Sequence, residues 1–416
     1  MSTGARHLDP TVDRLSRFRD LRARLDPSGD PNDAVANGLY VRSKHAPSSR
    51  LAAELALAPA STHLLVGGVG SGKTTELLET ARRLDALDDS IALYVDVTSG
   101  NDIGHVKPGT VLVQVGLALA DIPSDAGGAR PASDDRDGPL TAWTLNRGLS
   151  DEVRQLQTLA HGEVDDSDFG AITVPGILKA PERPFDLDVA AALEPTERLV
   201  RGLQGVHRHV SVLLDGLDRI ANVRAFQEII EEDVRALTSL GVGVVLVGPL
   251  RALYGIDRTA LDQFDRLHEQ PSVDVQRSDE AASFFKTVLR RRAPEDVLDS
   301  QALEALVHHS GGVLRDLLAL AQSACVEAYV DGSEIIGLVQ ADAAIDAFGR
   351  RLMQGLRSSE IEILQRVRTK GTFVQTKEDD LALLMTRRVL EYRESGVPRY
   401  AVHPTIERFL AEMAAT

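Results

Sequence analysis

Short apolar runs alternate with amphipathic stretches through the first two thirds of the chain. Such runs are typical of strands buried in a parallel sheet, and apolar residues at every third or fourth position predict helices. We expect strands at 64–66, 91–97, 210–214, 241–251 and 272–275, and helices at 73–84, 111–119, 189–203 and 223–240. This alternation predicts an α/β fold with a parallel sheet.

After Ser278, the apolar residues recur only at helical spacing. Serine is a residue type that caps helices, so Ser278 is expected to begin the first of them. This spacing predicts a bundle of helices at 278–292, 300–309, 313–330 and 335–348. The last segment has a helical pattern over 379–395 and then a β-type run, which together predict a winged helix. We expect four parts: an N-terminal helical arm at 1–62, an α/β core at 63–276, a helical lid at 277–357 and a winged helix at 358–416.

Residues 122–187 interrupt the alternation of predicted strands and helices in the core. They are rich in Asp, Gly and Pro, they include Trp143, and the pattern at 169–178 suggests a small hairpin. Long loops inside a compact domain are usually functional or disordered. The insertion is therefore expected either to contact a partner or neighbouring subunit, or to lack a fixed structure.

Composition narrows the class of protein. The 416 residues are 43% hydrophobic and 26% charged, as in an ordinary globular protein of two or three domains. A formal charge of −16 argues against nucleic acid as the main ligand, because such binding depends on a basic footprint.

Cys325 is the only cysteine, so no disulfide framework or thiolate metal site is expected. Without a signal peptide or membrane-length run, a cytoplasmic location is expected.

The most specific motif is a glycine-rich loop that matches G-x-x-x-x-G-K-[ST] between a predicted strand and a predicted helix. Its glycines permit positive φ angles and a close approach of backbone N–H groups to a triphosphate. Lys73 would supply charge to the β- and γ-phosphates, and Thr74 a hydroxyl to Mg²⁺. We expect the nucleotide to contact Gly67, Gly68, Val69, Gly70, Ser71, Gly72, Lys73, Thr74 and Thr75.

A second motif follows the predicted strand at 210–214. The strand ends in Asp215, and Asp218 comes three residues later. Ligands bind at the carboxyl ends of strands in such sheets, so Asp215 is expected to hold Mg²⁺ and Asp218 to orient or deprotonate a water molecule. The alternative for Asp218 is a helix N-cap.

Other residues are weaker candidates. Leu39, Tyr40 and Val41 form an apolar patch upstream of the glycine loop that could pack on adenine or simply anchor the N-terminal arm. Arg315 opens a predicted helix, where its charge opposes the helix dipole unless a phosphate is near. The expected fourth strand ends in Gly248 and Pro249, without a polar side chain. The remaining arginines considered for contact with phosphate or a neighbouring subunit are Arg251, Arg258 and Arg266.

Two further groups of residues are candidate sites. Arg387, Arg388 and Arg393 lie on the presumptive recognition helix of the winged helix, in a segment with nine basic and nine acidic residues. That balance gives weak support for DNA binding, and a protein contact is equally consistent. No histidine–carboxylate cluster with metal-ligand spacing is visible, and the pairs His207/His209 and His308/His309 read as surface residues.

The order of these parts resembles the AAA+ and STAND groups of P-loop ATPases over roughly residues 39 to 410. The lid sequence SGGVLRDLLALAQSA resembles that of origin-recognition and initiator proteins, whereas GVGSGKTTEL and LLDGLDR resemble STAND and NACHT-like switches. The resemblance implies that ATP and Mg²⁺ bind at Lys73, Thr74 and Asp215, that Asp218 activates water, and that Arg315 senses the γ-phosphate. The missing polar residue on the fourth strand and the lack of an unambiguous arginine finger depart from the pattern.

Three functions follow as expectations. The first is an ATP-hydrolysing switch that controls a partner protein, as a homo-oligomer or in a complex with an effector. The resemblance to STAND proteins, many of which act in bacterial antiphage defence, implies such a role for this switch. The second is a DNA-binding initiator or regulator that uses the winged helix. The third is a scaffold that binds ATP without cleaving it.

Overall fold

The computed structural model describes residues 10–44, 46–98, 106–122, 151–161, 189–220, 222–254, 259–373, 378–393 and 398–415. Trp143 and the hairpin expected at 169–178 lie outside these residues. The chain forms two compact units. Unit 1 contains Met1–Ala46, Gly67–Glu76 and Glu269–Thr416, and unit 2 contains Pro47–Val66 and Leu77–His268. The four-part division expected from the sequence stays a prediction.

A five-stranded sheet with the order β2-β3-β4-β1-β5 organises unit 2. The pairs β2–β3, β3–β4 and β4–β1 are parallel, so the predicted α/β fold is confirmed. The strands are β1 (Thr62–Gly67), β2 (Ser90–Asp96), β3 (His209–Asp215), β4 (Gly243–Gly248) and β5 (Arg266–Gln270).

Both faces of this sheet are covered. On β1, Leu64 and Val66 belong to one buried cluster while Leu65 belongs to another, as the two-residue period of a strand requires. That is why the strand reads as a continuous apolar run. The helices of this part are α3 (Pro47–Leu57), α4 (Lys73–Asp85), α5 (Thr110–Ala120), Asp151–His161 and Val189–Gln204.

The fifth strand was predicted at the wrong place. It lies at Arg266–Gln270, and Ser272 makes only an isolated bridge with Tyr392. Of the apolar residues after it, Val275 is buried and Val273 is half-buried. The N–H of Val273 donates to the carbonyl of Gly312 at 3.3 Å, just before the helix Leu314–Val330. Packing beside a helix start therefore accompanies the same apolar pattern as a strand.

The helix expected at 223–240 is interrupted by a π-helical turn, Ile230–Val234, between Val223–Ile229 and Arg235–Ser239. The turn contains Asp233, which is fully buried. Its carboxylate accepts hydrogen bonds of 2.8 Å from the backbone N–H groups of Gly109 and Leu112, at the start of α5. Asp233 thus caps a neighbouring helix from within the π-helical turn.

Unit 1 contains the predicted helical bundle. Ser278 caps its first helix, accepting a hydrogen bond from Ala281 N at 3.2 Å. The N-terminal helix α1 (Pro10–Arg24) packs on this bundle, where Arg14 donates to the carbonyls of Ala328 and Ser333 at 3.1 and 2.9 Å. The bundle helices are Asp279–Arg292, Ser300–His309, Leu314–Val330 and Leu338–Met353, and a short helix α2 spans Pro31–Ala36.

The C-terminal segment differs from its predicted order. The recognition helix expected through 379–395 ends at Met385, and a strand follows, so the prediction that the three arginines share a helix was wrong. Arg387 has a φ of 60°, a left-handed conformation that cannot continue a helix. The elements are Ser358–Lys370, Glu378–Met385, β6 (Val389–Tyr392), the antiparallel β7 (Arg399–Val402), a short 3₁₀ turn and Glu407–Ala415.

None of the helices in the described part of the chain is both long enough and apolar enough to cross a bilayer.

The buried Asp233 predicts a dependence of stability on pH. Burial raises the pKa of Asp233 to about 7, despite the backbone hydrogen bonds from Leu112 and Gly109 that lower it. The folded state then binds a proton more tightly than the unfolded state, so stability falls as pH rises through this range. Between about pH 5 and pH 7, we expect wild type to lose roughly 1–3 kcal/mol relative to Asp233→Asn. Urea unfolding of both proteins at several pH values measures this difference, and parallel pH profiles would contradict it.

Candidate functional site

The glycine loop connects β1 to α4, and its conformation depends on two glycines. Gly70 and Gly72 have φ angles of +84° and +99°, which other L-residues rarely adopt. Gly67 has a different reason to lack a side chain, since a Cβ there would lie 2.3 Å from the carbonyl oxygen of Gln270. Gly68 was predicted to be needed as well, but it has neither a positive φ nor a crowded neighbourhood. Three of the four predicted glycine constraints are therefore present.

The start of the helix Leu314–Val330 lies against this loop within unit 1. The backbone N–H of Arg315 donates to the carbonyl of Gly70 at 3.2 Å. A Cβ on Gly70 would come within 2.5 Å of the Cβ of Arg315. The structure thus brings Arg315, predicted from its position at a helix start and from the resemblance of the lid, to the glycine loop.

Two buried polar groups in the loop fit a phosphate ligand. Lys73 is only 5% exposed, and its Nζ donates to the carbonyls of Gly67 and Gly68 at 3.0 Å each. Ser71 Oγ is buried and has no hydrogen-bond partner among the described residues. Buried polar groups are normally satisfied, so an anion in the loop would supply what Ser71 lacks and give Lys73 a charged acceptor. Thr74 and Thr75, half-buried, follow in the first turn of α4.

The segment around Tyr40 is also held next to the loop helix. Tyr40 is half-buried, and its hydroxyl donates to Glu76 Oε1 at 3.3 Å, in the first turn of α4. Arg291 and Arg292 donate to the backbone of the same segment, at the carbonyls of Gly38 (3.0 Å) and Leu39 (3.2 Å). The predicted patch, including the half-buried Val41, therefore lies between the start of α4 and the first helix of the bundle.

A buried ion pair connects the C-terminal segment to the same loop. Asp316 is 1% exposed and accepts a hydrogen bond of 2.8 Å from Arg387 Nε. Arg387 Nη1 also makes a long hydrogen bond of 3.5 Å to the carbonyl of Val69. The loop therefore contacts both the bundle and the segment that follows it. The sequence predicted Arg387 on a recognition helix that contacts either DNA or a protein.

The carboxyl edge of the sheet in unit 2 carries two acidic residues side by side. Asp215 ends β3 and is paired in register with Asp96, which ends β2. The hydroxyl of Tyr94 donates to Asp215 Oδ2 at 3.0 Å, and the N–H of Gly216 donates to Oδ1 at 2.8 Å. Burial, followed by the charges of Asp215 and Asp96, raises the pKa of Tyr94 far above its usual value. Tyr94 is thus a permanent hydrogen-bond donor at this edge.

Asp218 lies just beyond this edge, in the 3₁₀ turn Leu217–Arg219, and is half-buried. It is not the N-cap of the following helix, because Asn222 accepts the capping hydrogen bond from Arg224 N at 2.9 Å. The alternative interpretation of Asp218 was therefore wrong.

Packing at the end of β4 explains why Gly248, and not a polar residue, ends the strand. A Cβ on Gly248 would lie 2.7 Å from Leu64 Cδ1 and 3.0 Å from Phe226 Cζ, so no side chain fits there without repacking the core. Arg251, in the next 3₁₀ turn, is half-buried, and Arg266 is exposed at the start of β5. Arg258 lies outside the described residues.

Sequence reasoning missed Asp96 and Tyr94. Both lie in the strand that was predicted at 91–97, but nothing in their spacing shows which strand pairs with β3. The carboxylate of Asp96 at the end of an otherwise apolar strand was the available signal.

No family model and no curated protein matches the chain. Among solved structures, the ORC2 protein of Aeropyrum pernix, in ADPNP and ADP complexes, is 14% identical with a TM-score of 0.44, covering 90% of this chain and 96% of that one. The ORC1 protein of the same organism in complex with DNA is 17% identical with a TM-score of 0.45, covering 94% and 96%. The RuvB Holliday junction branch migration motor of Thermotoga maritima is 12% identical with a TM-score of 0.40, covering 88% and 94%.

Proposed function

We propose that the chain binds ATP with Mg²⁺ and works as a nucleotide-dependent switch of the AAA+ and STAND kind. The observation that carries this proposal is the contact of the glycine loop with two later parts of unit 1, through Arg315 N to Gly70 and through Arg387 to Val69. A phosphate bound in the loop competes for the same groups. The nucleotide state therefore biases how the bundle and the C-terminal segment are held.

In the proposed site, Lys73 and the N–H groups of the loop bind the β- and γ-phosphates. Thr74 and Asp215 hold Mg²⁺, which supplies charge neutralisation for the phosphates. Asp218 orients a water molecule in line with the γ-phosphate and takes its proton as the water oxygen bonds to phosphorus and the bond to the bridging oxygen breaks. Arg315 stabilises charge on the γ-phosphate from the bundle.

The crowded end of β4 supports slow turnover. A polar residue next to the γ-phosphate would help to place the water, and Gly248 has no room for one. We therefore propose that hydrolysis is slow or depends on a partner that completes the site. Such a partner would be a second copy of the chain or a separate effector protein, and in a STAND-type defence system the effector would carry the output.

Variants of Lys73 and Asp218 distinguish ATP binding from ATP hydrolysis. Lys73→Ala removes the buried cation, so ATP affinity should become undetectable by isothermal titration calorimetry. Asp218→Asn should leave ATP affinity unchanged and lower phosphate release by about 10²–10⁴-fold, as expected for loss of a group that handles the proton. Asp262→Asn, an exposed carboxylate in another 3₁₀ turn, is the matched control and should behave as wild type.

Two results would contradict this assignment. Normal ATP turnover by Asp218→Asn would show that Asp218 does not activate the attacking water. Intact ATP, identified by mass on the purified wild-type protein and never cleaved, would favour the scaffold function.

Tyr40 tests the nucleobase end of the site. If its ring stacks on adenine, Tyr40→Ala should weaken ATP binding by about 1–3 kcal/mol, the typical cost of losing one base–aromatic stack. Tyr40→Phe keeps the ring and should bind ATP within about twofold of wild type. Inorganic triphosphate has no base, so its affinity should be equal for all three proteins. An equal loss for triphosphate would instead assign Tyr40 to positioning α4 through Glu76.

The initiator function is less well supported, because the three arginines proposed for DNA are used internally. Arg387 is bound to Asp316, Arg388 donates to the carbonyls of Leu352 and Gln354 at 2.7 and 3.1 Å, and Arg393 pairs with Glu269 at 2.6 Å.

We therefore expect no binding of labelled duplex DNA by fluorescence anisotropy at low salt with ATP present. Saturable binding whose affinity falls steeply with salt would favour the initiator function instead.

A further inference from the structure

Three side chains from three different elements converge at the amino end of β1. Glu54 belongs to α3, His63 to β1 and His268 to β5, and all three lie in unit 2. His63 and His268 are 1% and 7% exposed. In the part of the chain that the structure describes, they are the only group of three or more His, Cys, Asp or Glu residues whose ligand atoms all lie within 4.8 Å of one another.

We propose that Glu54, His63 and His268 form a Zn²⁺ site, distinct from the nucleotide site. The distances among the three ligand atoms carry the proposal. His63 Nδ1 lies 3.1 Å from His268 Nε2 and 3.4 Å from Glu54 Oε2, and His268 Nε2 lies 3.2 Å from Glu54 Oε2. Two atoms bound to one tetrahedral Zn²⁺ at about 2.0–2.1 Å lie about 3.3–3.4 Å apart. The triangle therefore has the size of one face of a zinc tetrahedron.

Hydrogen bonds around the cluster orient a lone pair toward its centre. Ser61 Oγ donates its hydrogen to the carbonyl of Ala58 at 2.6 Å, so it must accept from His63 Nε2 at 2.8 Å. With the proton on Nε2, the Nδ1 atom of neutral His63 carries a lone pair that faces the other two ligand atoms. Outer hydrogen bonds of this type fix the tautomer of histidines that bind metals.

Glu54 is held in the same way. Arg50 Nε donates to Glu54 Oε1 at 2.9 Å, which leaves Oε2 directed at the two imidazoles. Oε2 is buried and has no hydrogen-bond partner among the described residues, although both ring nitrogens lie within ion-pair distance. A cation at the centre of the triangle would satisfy this oxygen and replace the hydrogen bond of 3.1 Å between His63 Nδ1 and His268 Nε2.

The types of donor agree with this geometry. Two imidazoles and one carboxylate are a donor set that Zn²⁺ takes in proteins, with water at the fourth position.

The proposed site lies at the opposite end of β1 from the glycine loop. About 13 Å of strand separates His63 from Gly67, at about 3.3 Å per residue. Zn²⁺ there would join α3, β1 and the edge strand β5. It would therefore stabilise the sheet rather than take part in phosphate chemistry.

The test uses the full-length chain purified without a histidine tag, in excess Mg²⁺ so that hard-cation sites stay filled. Mass spectrometry of the metal content should give about one zinc per wild-type chain. Co²⁺ added to the zinc-free protein should produce the visible absorption bands of tetrahedral coordination. His268→Gln and Glu54→Gln should lose the stoichiometric zinc, the cobalt bands and the rise in Tm that added Zn²⁺ gives wild type.

Two further variants keep the proposal falsifiable if those proteins fold poorly. Ser61→Ala retains all three ligands but removes the group that orients His63, so zinc affinity should fall about 10–100-fold. His209→Gln is the matched control, because His209 also begins a core strand but faces a single carboxylate, Asp89, at 3.6 Å. It should keep the zinc.

The proposal is overturned if zinc-free wild type shows no saturable Zn²⁺ binding. It is also overturned if well-folded Ser61→Ala and His268→Gln bind zinc as tightly as wild type. In either case the three side chains form a hydrogen-bonded cluster in which His268 donates its proton to both neighbours. Neither result bears on ATP binding at Lys73, so failure here is distinguishable from failure of the proposed function.

Discussion

Close backbone packing around the glycine loop is the constraint on which unit 1 depends. A Cβ on Gly67 would lie 2.3 Å from the carbonyl of Gln270, one on Gly70 2.5 Å from Arg315 Cβ, and one on Gly312 1.6 Å from the carbonyl of Val273. Three chain segments thus approach one another at distances that side chains would prevent. The loop is therefore grouped with the bundle in unit 1, although it leaves directly from β1.

This packing explains why we assign the loop a conformational role in addition to binding. A loop that held phosphate alone would need only its own N–H groups and Lys73. Here its carbonyls at Val69 and Gly70 also accept hydrogen bonds from Arg387 and Arg315. Arg387 is fixed in turn by the buried Asp316, and a buried charge whose partner is removed is costly, by about 3–5 kcal/mol. The contacts of Arg387 with the loop and with Asp316 are thus the physical basis of the switch that we propose.

The sheet of unit 2 carries ionisable side chains at both ends of its strands. Asp96 and Asp215 lie side by side at the carboxyl edge, and Asp215 accepts a hydrogen bond from the hydroxyl of Tyr94. At the amino end of β1, His63 and His268 form the cluster with Glu54. The two groups lie at opposite ends of parallel strands, Asp96 and Asp215 at the carboxyl ends of β2 and β3 and His63 at the amino end of β1.

The sequence by itself determined the local features. The apolar period predicted four of the five strands and the bundle helices, and the motif spacing predicted the glycine loop, because both depend on residues close together in the chain. Only the tertiary structure decided which distant segments meet. The apolar pattern at 272–275 reported burial but not its cause, and the helical pattern at 379–395 carried no sign of the left-handed Arg387. His63 and His268 are 205 residues apart, so their contact follows from strand order alone, which local spacing does not encode.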